Sequence, residues 1–214
     1  MPDSAPSPPK KGAIVELQGL VAKPELNGCT GVVISNYDPK TERCGVKLDD
    51  GTGVNAKLAN LKILDISLKE HKLNLAIKKL LDKGGTEDED DEENDTPPKE
   101  YLDELIAVGD ARYELGQYDK AGSVFYQAYY ACLSKSNVIN SPESYPVMHK
   151  MLQAWSKSEE EHYLKMAHGM AQQTLMMPGA PSYIVVDKQK IEAAMYRKGI
   201  KAQDIMEPFR NMGL

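Results

Sequence analysis

The chain has 214 residues, of which 41% are apolar and 27% charged, and its formal net charge is −6. This length allows one large or two small domains, since domains commonly contain about 100–150 residues. No apolar run approaches the roughly 18–20 residues that a membrane-spanning helix needs, and residues 1–12 contain no apolar core that could serve as a secretory signal. We therefore expect no membrane insertion and a cytoplasmic location, with the nucleus as the alternative.

The net charge is unevenly distributed along the chain. Residues 87–95 carry eight carboxylates and no cation, which leaves the rest of the chain at +2. Binding of nucleic acid or of an anionic membrane would require a clustered basic face, so we expect neither as a partner. We predict a disordered acidic linker at residues 85–99 and disorder in the Pro-rich residues 1–12. A spacer is the simplest role of the linker, and attraction of a basic partner such as a histone is the alternative.

Residues 13–66 have the pattern of four or five short strands. Val15 and Leu17 would lie on one face of a strand, and Ile14 and Glu16 on the other. β-branched residues dominate the following segments. The pairs Asn27-Gly28 and Asp50-Gly51 are typical of tight turns, because glycine adopts a positive φ without steric penalty. Strands this short bury little unless the sheet curls closed, so we predict a small β-barrel.

The same region resembles a small Src-homology-3-like barrel that recurs in algal and protist proteins, often beside ankyrin repeats or MYND zinc fingers. The Cys and His ladder of a MYND finger is absent here, so the resemblance implies neither zinc nor methylation. A glycine-bearing turn followed by Gly31-Val32-Val33 also resembles KOW elements, which often contact RNA or ribosomal proteins. The resemblance rests on these segments: Leu17-Gln18-Gly19-Leu20, Pro24-Glu25-Leu26-Asn27-Gly28, Gly31-Val32-Val33, Val46-Lys47-Leu48-Asp49-Asp50-Gly51 and Asn60-Leu61.

Residues 67–84 are predicted to form an amphipathic helix. Ser67 and Glu70 make a capping-box pair, apolar residues follow at helical spacing, and Gly84 ends the helix. The opposite face carries five lysines, of which Lys72 and Lys79 are our candidates for contacting an acidic partner. A solvated face, or one covered by the acidic linker, is the alternative interpretation.

Residues 101–131 predict two helices joined by a tight turn at 115–118, with small residues facing bulky ones. This segment resembles a tetratricopeptide repeat, from which it departs at Arg112 and Leu133. A weaker match 45 residues later pairs Tyr118 with Tyr163, and helices predicted at 187–198 and 201–208 would cover the end of the stack. The motif positions, predicted to pack the helices together, are Gly109, Gly116, Tyr118, Ala121, Phe125 and Ala128.

The predicted fold is therefore an α+β multidomain chain, with a small all-β barrel and an α-helical tetratricopeptide-like bundle at residues 100–214. Such repeats resemble adaptor surfaces that hold extended peptides, which implies a protein or peptide partner. Some tetratricopeptide repeats bind the acidic tail of a chaperone through a lysine and an asparagine. Ile106 and Asp110 occupy the matching positions here, so we expect this chain not to bind such a tail. Tyr129, Tyr130 and Trp155 are candidate partner contacts in this domain if they are exposed, and burial in the core is the alternative.

No motif for catalysis accompanies these patterns. The sequence contains no phosphate-binding glycine loop, nucleophile elbow or HExxH pair, and Cys29, Cys44 and Cys132 lack the short spacing of a zinc site. We therefore predict a non-catalytic adaptor or scaffold without a cofactor, which assembles or anchors a larger complex. A KOW-like RNA- or ribosome-associated protein is the first alternative, and an unrecognised enzyme is the second.

Overall fold

The computed structural model describes residues 7–85, 99–136 and 142–201. The chain has mixed α+β structure and divides into two compact units, Met1–Leu75 and Ala76–Leu214. The acidic run at 87–95, residues 1–6 and most of the helix predicted at 201–208 lie outside the described residues.

Unit 1 contains a single antiparallel sheet in which each strand is four to six residues long. The strand order is β4-β3-β2-β1-β5, so the short strands predicted from the sequence are confirmed. The predicted closed barrel is wrong, because β4 and β5 lie at opposite edges of the sheet and their described residues do not pair. The strands are β1 (Ile14–Leu17), β2 (Thr30–Val33), β3 (Arg43–Leu48), β4 (Gly53–Lys57) and β5 (Leu61–Leu64).

The core of unit 1 lies on one face of this sheet. Val15 and Leu17 of β1 point into it, as their alternation predicted. Leu20, Leu26 and Cys29, from the loop between β1 and β2, are half-buried and pack against the same core. This loop covers apolar surface of the sheet. The sheet therefore does not need to close into a barrel to bury that surface, and its edges stay open.

The two predicted turns have different roles. Asp50-Gly51 joins β3 to β4 as a tight hairpin, in which Gly51 has a φ of 90° and its N–H donates to Leu48 O at 2.9 Å. Asn27-Gly28 instead ends a short 3₁₀ turn, where the Asn27 amide bonds the backbone N–H and carbonyl of Leu20 at 2.8 and 3.0 Å. The hairpin predicted at Asp50-Gly51 is confirmed. Asn27-Gly28 instead stabilises the longer loop between β1 and β2.

Helix α1 (Leu68–Asp82) begins and ends where the sequence predicted, and the division between the two units falls within it. Ser67 N–H donates to Glu70 Oε2 at 2.7 Å and Glu70 N–H donates to Ser67 Oγ at 3.2 Å, which confirms the capping box. Within unit 1, His71 Nε2 contacts Asp49 Oδ1 at 2.7 Å. This contact ties the first turn of α1 to the β3–β4 hairpin.

Unit 2 is helical throughout its described part. The predicted turn at 115–118 is confirmed, since α2 and α3 are separated by residues 115–117 and pack on one another. Helix α3 also packs on α4, and α6 packs on both α4 and α5. The helices are α2 (Leu102–Glu114), α3 (Tyr118–Ser136), α4 (Tyr145–Trp155), α5 (Glu161–Leu175) and α6 (Ser182–Arg197).

Candidate partner-binding face of the helical unit

The repeat-like residues of α2 and α3 form a packed interface between these helices. Ala121, Phe125 and Ala128 are buried, and they lie on one face of α3 because they are four and three residues apart. A Cβ on Gly109 of α2 would lie 2.5 Å from the ring of Phe125, so glycine leaves the space that the ring fills. Gly116 is exposed in the turn with a φ of 77°.

The departure of the motif at Arg112 is accompanied by a different aromatic contact. Tyr113 packs edge-to-face on Tyr118, with their ring centroids 5.3 Å apart. The ammonium group of Lys157, which follows α4, lies 4.4 Å from the centroid of Tyr113 and 4.8 Å from that of Tyr118. The displaced tyrosine therefore holds the α2–α3 turn against the end of α4 through cation–π contacts.

Two of the aromatic residues predicted to contact a partner belong to the interior. Trp155 is 1% exposed and stacks on Tyr163, with centroids 5.4 Å apart, and a Cβ at Gly122 would collide with its indole. Tyr129 is also buried, and desolvation raises its pKa to about 12. We therefore correct the prediction for Trp155 and Tyr129, whose side chains pack between helices and offer no contact area at the surface.

The other predicted contact residues do reach the surface. Tyr130 is 41% exposed and accepts a hydrogen bond from the hydroxyl of Tyr126 at 2.9 Å. Burial and this bond raise the pKa of Tyr126. On α1, Lys72 lies in unit 1 and Lys79 in unit 2, and both are exposed. These three residues keep the exposure that contact with a partner requires.

Sequence reasoning missed a row of polar contacts that crosses three helices of unit 2. Lys150 Nζ donates to both carboxylate oxygens of Asp110, at 2.5 and 2.7 Å, and so connects α4 to α2. His149 Nδ1 contacts Asp187 Oδ2 at 2.5 Å and connects α4 to α6. We call Asp110, His149, Lys150, Gln153 and Asp187 the polar strip.

Asp187 is the buried end of the polar strip. Its side chain is fully buried, and its Oδ1 has no hydrogen-bond partner among the described residues. In the sequence it stands between Ile184 and Ile191, at positions whose spacing marks the buried face of α6. A charged residue within an apolar helical stripe is the signal that could have identified this position, because buried carboxylates need a partner.

His149 uses both of its ring nitrogens within the polar strip. Nδ1 faces the Asp187 carboxylate, and Nε2 lies 3.0 Å from the side-chain amide nitrogen of Gln153. The ring also packs on Tyr183, with centroids 4.8 Å apart. An Asp–His pair can orient an imidazole for proton transfer to a nucleophile, but here an amide occupies the position that a hydroxyl or thiol would need.

The polar strip exposes both donors and acceptors. The side chains of Asp110, His149 and Lys150 are each about one third to one half exposed, whereas Asp187 is enclosed. Asp110 stands where a carboxylate clamp would have an asparagine. Its carboxylate is instead bound by Lys150 of this chain. The exposed charged groups of the strip are one carboxylate, that of Asp110, and one ammonium, that of Lys150.

The described residues include neither a candidate membrane span nor a candidate metal site. None of the helices in residues 7–85, 99–136 and 142–201 combines the length and apolarity needed to cross a membrane. In the same ranges, no group of three or more His, Cys, Asp or Glu side chains could hold a metal ion. Cys29, Cys44 and Cys132 are not joined in a disulfide.

The comparisons with known proteins give no family for this chain. A scan against protein-family models, a search of curated proteins and a search of solved structures each find no match.

Proposed function

We propose that this chain is a non-catalytic protein-binding adaptor whose helical, tetratricopeptide-like unit holds an extended peptide of a partner along the polar strip. The observation that carries this proposal is the pair of contacts Asp110–Lys150 and His149–Asp187. They join α2, α4 and α6, so that the half-exposed groups of Asp110, His149 and Lys150 lie side by side on α2 and α4 and are held to α6 by the buried Asp187. Extended peptides need such groups, since their backbone N–H and C=O are unpaired.

The resemblance of unit 1 to a Src-homology-3-like module supports a second docking domain. The segments that carry this resemblance have structural roles, because the amide of Asn60 donates to the carbonyls of Gln18 and Gly19 at 2.9 and 3.0 Å. These bonds hold the β1–β2 loop, which covers the core, onto the chain just before β5. We propose that unit 1 is a second binding module beside the helical one, in the cytoplasm or nucleus, where the thiols would stay reduced.

The KOW-like alternative finds less support. A Cβ on Gly31 would lie 2.5 Å from the carbonyl oxygen of Lys47, so this glycine is explained by the close approach of β3. Val33 lies in the core of unit 1. Gly31 and Val33 are thus accounted for by packing within the sheet.

The adaptor proposal is tested by peptide selection on the intact chain. Peptides selected from a displayed random library would be measured against the wild-type protein and against the Lys150→Gln, Gln153→Ala double variant. We expect the double variant to bind about tenfold more weakly, a loss of about 1.4 kcal/mol, because it replaces the charged donor of Lys150 by a neutral amide and removes the side-chain amide of Gln153. Lys165→Gln is the matched control, since the Lys165–Glu161 pair at 2.5 Å lies on α5, outside the strip.

The outcome that contradicts the proposal is a set of selected peptides whose affinity is the same for the wild type, the strip variant and the control. Recovery of RNA and no peptide by the wild-type chain would favour the alternative. A circular dichroism spectrum of each variant would establish that binding is lost without loss of helix.

A second test concerns acidic chaperone tails. Because Lys150 already binds both oxygens of Asp110, a peptide carboxylate meets a neutralised lysine and a repelling charge. We expect no heat on calorimetric titration of the wild-type chain with an acidic chaperone pentapeptide. The Ile106→Lys, Asp110→Asn double variant, which restores a lysine and an asparagine, should gain measurable affinity, whereas micromolar binding by the wild type would refute the prediction.

A further inference from the structure

The edge strand β5 directs part of its backbone away from the sheet. Gln18 N–H donates to Asn60 O at 2.9 Å, and the pairing of β1 with β5 continues from there. Because hydrogen-bonded and non-hydrogen-bonded pairs alternate in an antiparallel ladder, Lys62 bonds to β1, whereas the N–H and C=O of Ile63 point away from it. Neither of these groups of Ile63 has a hydrogen-bond partner among the described residues.

The side chain of Ile63 extends the core of unit 1 to this edge. Ile63 stands opposite Val15 of β1, so the two side chains lie on the same face of the sheet, the face that carries the core. Val15 is completely buried, whereas Ile63 is 49% exposed. An apolar side chain beside unpaired backbone groups marks an edge to which another strand can be added.

The opposite edge, β4, is protected from such pairing. Leu48 N–H donates to Thr52 O at 2.8 Å, and the same alternation identifies the residues whose backbone groups point outward. These residues, all exposed and none of them apolar and large, are Gly53, Asn55 and Lys57. Arg43 Nη1 donates to Asn55 O at 2.6 Å and so occupies the carbonyl at the middle of this edge. The contrast identifies β5 as the open edge of the sheet.

The outward groups of β5 are complementary to themselves. The N–H of Leu61 donates to Leu58 O within the chain, which leaves the carbonyl of Leu61 and both backbone groups of Ile63. Two identical antiparallel strands related by a two-fold axis at Ile63 exchange two bonds there, from the N–H of each to the carbonyl of the other. The carbonyl of Leu61 would then meet the N–H of Asp65 in the second copy. Donors and acceptors therefore match without a change in either strand.

The charges near this edge do not oppose such a pair. Lys62 Nζ lies 3.0 Å from Glu16 Oε2 of its own chain. Two-fold symmetry at Ile63 places Lys62 opposite Leu64 of the second copy, and Asp65 also stands opposite an uncharged residue. No two like charges face each other directly, and the two Ile63 side chains lie opposite one another on the core face.

We propose that β5 pairs with β5 of a second copy of this chain, antiparallel and around a two-fold axis at Ile63, so that two five-stranded sheets become one continuous sheet. The exposed side chains of Ile63 then bury each other, and their backbone groups gain partners. The area of such an edge pair is smaller than the about 1,200–2,000 Å² of a stable interface, so the dimer is weak and forms at high protein concentration. The proposal is independent of the adaptor function.

Hydrogen exchange of the intact wild-type chain tests this pairing without any substitution. Raising the protein concentration about a hundredfold, to about 1 mM, should slow exchange of the Ile63 amide at least about threefold, because its N–H becomes a donor in the dimer. The Asn55 amide, which points outward from the opposite edge, is the matched control and should keep its rate. Exchange at Ile63 that does not respond to concentration would overturn the proposal.

Ile63→Lys tests the position of the two-fold axis by sedimentation equilibrium. The apparent mass of the wild type should rise towards that of a dimer with concentration, whereas Ile63→Lys should stay monomeric because two lysines would face each other. Asn55→Lys, which puts the same charge on β4, should dimerise as the wild type does.

Three results of the sedimentation experiment would overturn the proposal: a wild type that is monomeric at every concentration, a dimer that Ile63→Lys retains, or one that both variants lose. Exchange of the β1 amides shows whether the sheet of each variant is folded. The exchange of the wild-type chain decides alone if Ile63→Lys does not fold.

Discussion

Gly109 and Phe125 show how one side chain determines the distance between two helices. The ring of Phe125 is buried, and its edge occupies the space where a Cβ on Gly109 would lie. Because protein interiors are close-packed, the ring has no neighbouring void into which it could move. The glycine of the repeat-like motif is therefore required by the approach of α2 to α3.

Gly109→Ala should destabilise the protein despite the better helix propensity of alanine. Propensity favours alanine by about 1 kcal/mol, whereas overpacking a close interface costs about 1–3 kcal/mol. We expect a net decrease in the free energy of unfolding, measured by urea denaturation and followed by the fluorescence of Trp155. Phe125→Leu should partly rescue Gly109→Ala, because it removes the opposing ring atoms.

The control for this substitution is Gly53→Ala in β4. A Cβ at Gly53 would meet nothing within 4 Å, and its φ is not positive. If Gly109→Ala were as stable as the wild type, the Gly109–Phe125 contact would not limit the approach of the helices.

At the scale of single elements, the capping box at the start of α1 contains a group that titrates, the carboxyl of Glu70. The hydroxyl and backbone N–H of Ser67 hydrogen-bond the Glu70 carboxylate and keep its pKa below the usual value of 4.5. Since the folded-state pKa is lowered, Glu70 stabilises the folded state above its unfolded-state pKa. That contribution is lost as the pH falls through the folded-state pKa.

Glu70→Gln should preserve the cap and remove this pH dependence, because glutamine also serves in a capping box but does not titrate. The urea midpoint of the wild type should exceed that of Glu70→Gln at pH 7, and the difference should shrink towards zero below about pH 4. Urea denaturation at pH 3, 5 and 7, followed by circular dichroism, measures this difference in urea midpoint. A difference that stays constant from pH 7 to pH 3 would show that the charge of Glu70 plays no part.

At the scale of the whole molecule, two cores are formed by separate parts of the chain. Val46 is fully buried in the sheet of unit 1, and Leu164 is fully buried in α5 of unit 2. Trp155, the only tryptophan of the sequence, lies in unit 2. Its fluorescence therefore reports on the helical core.

Leu164→Ala should shift the tryptophan unfolding transition to lower urea, because truncation of a buried leucine costs about 2–5 kcal/mol. Val46→Ala should leave that transition in place and lower only the stability of the sheet, which exchange of its backbone amides would detect. Equal shifts of the tryptophan transition by both substitutions would show that the two units unfold as one.

The elements could be predicted from the sequence because their signals are local. Asp50-Gly51 specifies a hairpin within four residues, Ser67 and Glu70 specify a helix start, and Ala121 and Phe125 mark one face of α3. Each of these patterns acts through backbone geometry or through side chains one turn apart.

The candidate site could not be predicted in the same way, because it depends on distant residues. Asp110 and Lys150 are 40 positions apart, and His149 and Asp187 are 38 apart. No local pattern specifies which side chains meet across helices, and for the same reason the sequence left open whether Trp155 is exposed or buried. The openness of the sheet likewise depends on how the β1–β2 loop packs, which strand periodicity does not encode.

The pairing of charges within the polar strip has a kinetic consequence. A peptide approaching Asp110 and Lys150 meets two opposite charges that are already 2.5 Å apart, so little electric field extends into solution. The pair itself therefore adds little of the long-range attraction that can accelerate association by factors of about 10–1,000. For a peptide without net charge, encounter should be limited by orientation, with rate constants of about 10⁵–10⁶ M⁻¹s⁻¹ that hardly change with ionic strength.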